Sequence, residues 1–62
     1  MTVGEAVKLL EENGFIFKNQ VGSHMKYSRG TERITLVKHR SNKERLHPRA
    51  IKQVKTLIDG KS

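Results

Sequence analysis

The stretch His24-Met25-Lys26-Tyr27-Ser28 alternates apolar with polar side chains. On an extended strand this puts Met25 and Tyr27 on one face and His24, Lys26 and Ser28 on the other. Following it, Arg29-Gly30-Thr31 has turn composition, and Arg33-Ile34-Thr35-Leu36-Val37 repeats the two-residue period with Ile34 and Leu36 together. Preceding it, Val21-Gly22-Ser23 is a turn-prone break, and Phe15-Ile16-Phe17-Lys18-Asn19 is rich in strand formers. The three segments predict an antiparallel meander.

Outside the meander the period changes to that of a helix. Thr2-Val3-Gly4-Glu5 is a capping-box pattern, Val3, Ala6, Val7 and Leu10 follow at helical spacing, and Asn13-Gly14 suits a C-terminal cap. A first helix is expected over residues 3–13. The run from Lys38 to His47 is strongly polar and reads as a loop. Pro48 fits the first turn of a second helix whose buried stripe is Ile51, Val54, Leu57 and Ile58, with Gly60 as its stop. The expected fold is α+β: a single αβββα domain over residues 1–62. Two helices can bury their stripes against so small a sheet only from the same side. The opposite face, bearing His24, Lys26 and Ser28, is then open to water.

Size limits the possible activities. At 7.1 kDa, roughly 60% of the unfolded surface leaves water on folding. The resulting apolar burial is on the order of 90 kcal/mol, and ordering the chain at about 1.5 kcal/mol per residue removes nearly all of it. A marginally stable domain without a deep cleft is expected, so any chemistry must use side chains on an open surface. With no cysteine there is no disulfide frame, which fits a reducing cytoplasm. The longest apolar run, Phe15-Ile16-Phe17, is far too short to span a membrane.

Thirteen Lys and Arg against six Asp and Glu give a net charge of +7 and a pI near 10.3. Residues 1–14 carry −2, residues 15–40 carry +5 and residues 41–62 carry +4. The first helix is therefore acidic, while the sheet, the following loop and the second helix are basic, the footprint of a chain that neutralises phosphates. Phe15, Phe17 and Tyr27 fall at core positions by periodicity, which leaves no stacking platform for bases and favours recognition of backbone and shape.

His24, His39 and His47 match no compact zinc spacing. With no clustered carboxylates, neither a metal nor another cofactor is expected. A lone histidine on a basic face is most simply a surface residue. It can also serve as a proton acceptor for RNA, which brings its own nucleophile, the ribose 2′-OH.

Four pieces in this order resemble the HicA toxin family of bacterial toxin–antitoxin systems. They are Leu9-Leu10-Glu11-Glu12-Asn13-Gly14-Phe15; Gly22-Ser23-His24 opening a strand; Ile34-Thr35-Leu36-Val37 with His39 two residues on; and Leu46-His47-Pro48 before Ile51 and Val54. The resemblance implies a fold like that of double-stranded-RNA-binding domains and metal-independent cleavage of mRNA. It also implies a HicB-type antitoxin partner, and His24 as the catalytic base. Lys18, Gly22, Ser23, Lys26, Lys38, His39 and Arg40 are then expected to meet the RNA. This chain has Met25 where many members carry a second His or Arg, Lys38 where a Pro is common, and Arg49-Ala50 where Gly-Thr often follows the helix-opening Pro. Two further readings are a non-catalytic double-stranded-RNA-binding module and an adaptor whose basic face docks an acidic protein.

Overall fold

A computed structural model describes residues 1–60; Lys61 and Ser62, the end of the expected domain, lie outside the described residues. The elements run α1 (Val3–Glu12), β1 (Ile16–Val21), β2 (His24–Arg29), β3 (Glu32–Val37) and α2 (Pro48–Asp59), the expected αβββα order. The strands form one antiparallel sheet in the order β1-β2-β3. Two-residue turns, Gly22-Ser23 and Gly30-Thr31, join them. Each begins with a glycine at φ +59°, which suits the tight hairpin turn that needs positive φ only at its first central residue.

Both ends of α1 are closed by specific hydrogen bonds. At the start, the Glu5 amide donates to the Thr2 hydroxyl at 3.2 Å and the Thr2 amide donates to Glu5 Oε1 at 2.8 Å. The remaining free amides of the first turn are taken by the polar loop: Val3 N–H donates to the Glu44 carbonyl and Gly4 N–H to that of Asn42. At the far end Gly14 N–H donates to the Glu11 carbonyl and Phe15 N–H to that of Leu10, the paired bonds of a left-handed glycine cap. That cap turns Phe15 inward, where it is 2% exposed, so β1 starts at Ile16 rather than at Phe15. His47 caps α2, its Nδ1 accepting from Arg49 N–H at 3.1 Å, and Gly60 ends the helix at φ +69°.

One core gathers Val3, Ala6 and Leu10 of α1, Val54 of α2, and Met25, Tyr27, Ile34 and Leu36 of the sheet. Both helices therefore share one sheet face. Leu46 joins this core at 5% exposure from within the polar loop, and Thr2 and Arg45 form an isolated β-bridge beside it.

Three details depart from the sequence reading. Phe17 is not core: it is 50% exposed on the edge strand, its ring meeting Tyr27 edge-on at 5.5 Å. The whole of β1 is exposed because the helices pack over β2 and β3 and leave β1 uncovered. Ser28 lies on the open face as expected yet is 8% exposed, a small side chain flanked on the central strand by its longer cross-strand partners Ile16 and Arg33. Arg29 is not a turn residue but the last residue of β2, tied to four neighbours.

Candidate functional site

The uncovered sheet face carries two clusters of the residues singled out by sequence. The first surrounds the β1–β2 turn. His24 opens β2, is exposed, and sits between Val21 on one side and Val37 on the other, both exposed as well. The Ser23 carbonyl accepts from Lys38 N–H at 2.8 Å. That bond fastens the exit of β3 to the turn and holds Gly22, Ser23, His24 and Lys38 at one end of the sheet.

His39 and Arg40 continue from there as exposed residues. Their path is set by Glu44, whose Oε1 accepts from Arg40 N–H at 2.9 Å. This amide, and secondarily the backbone and charge of His39, hold the Glu44 carboxyl below the ordinary carboxylate value. The loop after β3 is thus organised around a carboxylate rather than free.

The second cluster lies further along the same face, towards the β2–β3 turn. A hollow of about 510 Å³ is lined by Lys18, Asn19, Lys26, Ser28, Arg33 and Thr35, with Gly30 and the buried residues Tyr27 and Ile34 also contributing to its wall. A β-bulge creates part of it. Phe17 pairs with Tyr27 and Asn19 with Lys26, so Lys18 is an extra residue in β1. Simple alternation would send Lys18 and Asn19 to opposite faces, whereas the bulge lets both line the hollow. Lys18 and Lys26 therefore stand together, apart from the turn cluster. Arg33 and Thr35, which sequence reasoning did not select, face them from β3. The signal was present: Ile34 and Leu36 point inward, so Arg33 and Thr35 must point to the open face.

Among the described residues no aromatic ring is exposed on this face. Phe15 and Tyr27 are in the core and Phe17 pairs with Tyr27 on the helix side. Met25 is also in the core at 4% exposure, so the residue after His24 presents nothing to the open face. The exposed cations of α2, Arg49, Lys52 and Lys55, belong to the helix layer. The basic charge is thus divided between two sides of the molecule.

A family model described as HicA toxin of bacterial toxin-antitoxin matches residues 3–58. The chain belongs to the HicA toxin family. It is accordingly the toxin of a toxin–antitoxin system, and an antitoxin is its partner. No curated protein and no solved structure matches this HicA-family chain. Among the described residues, no three His, Asp or Glu side chains converge as a metal site, and no helix is long and apolar enough to cross a membrane.

Proposed function

We propose that this toxin is an RNA endonuclease in which His24 is the general base. One observation carries the reading: an exposed imidazole opens the central strand on the sheet face that no helix covers, with Lys26 next along that face and Lys38 fastened beside it. The neutral imidazole takes the proton of a ribose 2′-OH. The 2′-oxygen then attacks the adjacent phosphorus while the bond to the 5′-oxygen breaks. The leaving oxygen takes a proton from water, which reaches the open face freely. The products are a 2′,3′-cyclic phosphate and a 5′-hydroxyl.

Charge development in this step is on phosphate oxygens, so cations placed around the phosphorane contribute more in the transition state than in the ground state. Lys38 fills that role, with Lys18, Lys26, His39 and Arg40 holding flanking phosphates. Gly22 and Ser23, in a tight turn, allow the backbone of the nucleic acid to come close. A HicB-type antitoxin with an acidic surface would neutralise the toxin by covering this same face, and the opposite charges would make their encounter fast.

Incubation of the purified toxin with labelled RNA in EDTA tests the proposal. Cleavage to cyclic-phosphate ends by the wild type, absent from a folded His24→Ala variant, is the expected result. Full activity of the variant refutes the assignment. RNA binding without cleavage by either protein supports a non-catalytic binding module instead, and little RNA affinity at physiological salt supports the adaptor reading.

A further inference from the structure

We infer that the hollow between Lys18, Lys26 and Arg33 is a second backbone-phosphate subsite for single-stranded RNA, which obliges a good substrate to extend about two nucleotides from the bond cut at His24. This inference rests on the nuclease reading above and adds Arg33 and Thr35 to the substrate-binding residues.

The hollow brings three cations together from three different strands, and no carboxylate lines it. Like charges held close on a fixed sheet repel one another, and an anion between them turns that repulsion into attraction. Arg33 offers a fork of N–H donors that matches phosphate oxygens, while Lys18 and Lys26 act as point charges. Buried Ser28 also lines it, and Thr35 and Asn19 supply neutral donors. At about 510 Å³ the space is of the size class that takes a small ligand fragment, enough for a phosphate with its ribose.

Its position relative to His24 sets the register. With a rise of about 3.3 Å per residue, Lys26 stands about 7 Å and Ser28 about 13 Å along β2 from His24. An extended nucleic-acid strand covers that distance in one to two steps of its backbone. The occupant is a single strand for a chemical reason. Attack by the 2′-oxygen needs it in line with the leaving 5′-oxygen, a geometry that stacked A-form RNA does not adopt and a flexible strand reaches easily. With Tyr27 buried and no aromatic ring exposed on this face, bases have nothing to stack on, so the contact reads phosphates and is tolerant of sequence.

The experiment uses DNA oligonucleotides carrying one ribonucleotide, so that only one bond can be cut, with deoxy flanks lengthened from one to four nucleotides on either side. In EDTA, kcat/KM should rise about tenfold, the value of one charge-assisted contact, as the flank on one side passes two nucleotides. Arg33→Gln should remove that rise, lowering kcat/KM on the long flanks by far more than on the shortest. A rate independent of flank length, or an Arg33→Gln variant that slows all lengths equally or none, overturns the subsite. Binding of all-RNA oligomers to the His24→Ala protein, read by fluorescence anisotropy, gives a second measure. There, adding Arg33→Gln should lower the slope of log affinity against log salt by about 0.7, and tighter binding of duplex than of single strand overturns the choice of ligand. If the wild type cuts nothing while the Arg33-dependent slope persists, the subsite stands and the nuclease reading falls; cleavage without any dependence on Arg33 is the reverse.

Discussion

Arg29, the last residue of the central strand, donates from Nη1 to the carbonyl of Asn13 at 2.6 Å and so closes the C-terminal end of α1. The same guanidinium donates from Nη2 to the Leu57 carbonyl in the last turn of α2, pairs with Glu32, and lies 4.5 Å from the centre of the Phe15 ring. One side chain therefore fastens both helix ends to the sheet. Each carbonyl there lacks an intrahelical partner, and a cation suits the negative end of a helix. Arg29→Ala is expected to cost about 2 kcal/mol, after discounting for partial exposure, which corresponds to a fall in Tm of about 10 °C in a domain of this size. Arg29→Lys should recover only part, because an ammonium cannot span both carbonyls. A change of less than 1 °C for Arg29→Ala would show that the fastening is incidental.

Leu46 should behave as a core residue although it lies in a polar loop. Its side chain is 5% exposed, and its amide donates to the Met1 carbonyl at 3.0 Å. Leu46→Ala is expected to cost about 3 kcal/mol, a large share of the stability available to so small a fold. Urea melts of the variant should show a much lower midpoint with a similar slope.

Gly4 occupies a position where alanine would ordinarily stabilise a helix. A Cβ there would meet Asn42 Cβ at 3.1 Å and the Asn42 oxygen at 3.2 Å, the same residue whose carbonyl accepts from Gly4 N–H. Gly4→Ala should therefore bring none of the usual gain, and Gly4→Val should destabilise by about 2 kcal/mol through overpacking. Faster hydrogen exchange at the residue 4 amide would report that the loop has been pushed away.

Acid should weaken the fold through two carboxylates. Hydrogen bonds from the Thr2 backbone and side chain hold the Glu5 carboxyl below its ordinary 4.5, and the Arg40 backbone does the same for Glu44. A carboxyl lowered in the folded state stabilises it fully above the unfolded value and ceases to do so as pH falls through the folded one. Melting temperature should be flat above about pH 5 and fall below it, and Glu5→Gln should make that acid limb shallower. An unchanged limb in both Glu5→Gln and Glu44→Gln would remove these groups from the account.

Tyr27 should resist alkaline titration. Burial, and then the charge of Glu11, raise its phenol above the ordinary 10.0. Such a group contributes its full stability below the unfolded value and loses it as pH climbs through the folded one. Absorbance of tyrosinate should therefore appear above pH 10 and together with unfolding; a reversible appearance at pH 10 without loss of structure would contradict the burial.

The order of elements, the shared helix face and the open face were legible because they follow from local period and from caps. Met25 and Tyr27 inward with His24 and Lys26 outward needed only the pleat of one strand, and Thr2, Gly14 and Gly60 carried their capping chemistry in their own side chains or lack of one. What the chain hid depends on its partners in space. Whether Phe17 is covered is decided by how far two helices reach across three strands, and the extra residue at Lys18 by a pairing ten residues downstream. Leu46 gave no periodic signal, and the two carbonyls that occupy Arg29 come from positions 13 and 57. Arg33 and Thr35 were within reach of the same alternation that exposed His24.

The uncovered β1 has one more consequence. Among the described residues no strand pairs with its outer row of amides and carbonyls, which can template another strand, and Ile16, Phe17 and Val21 would make such an addition adhesive. The irregular residue at position 18 breaks the flatness that strand-by-strand growth requires and puts an ammonium at the break. The lysine that grips a phosphate in the proposed subsite is thus also the gatekeeper against fibrous self-assembly, so a change that smooths this strand would loosen the hold on nucleic acid and invite aggregation in the same stroke.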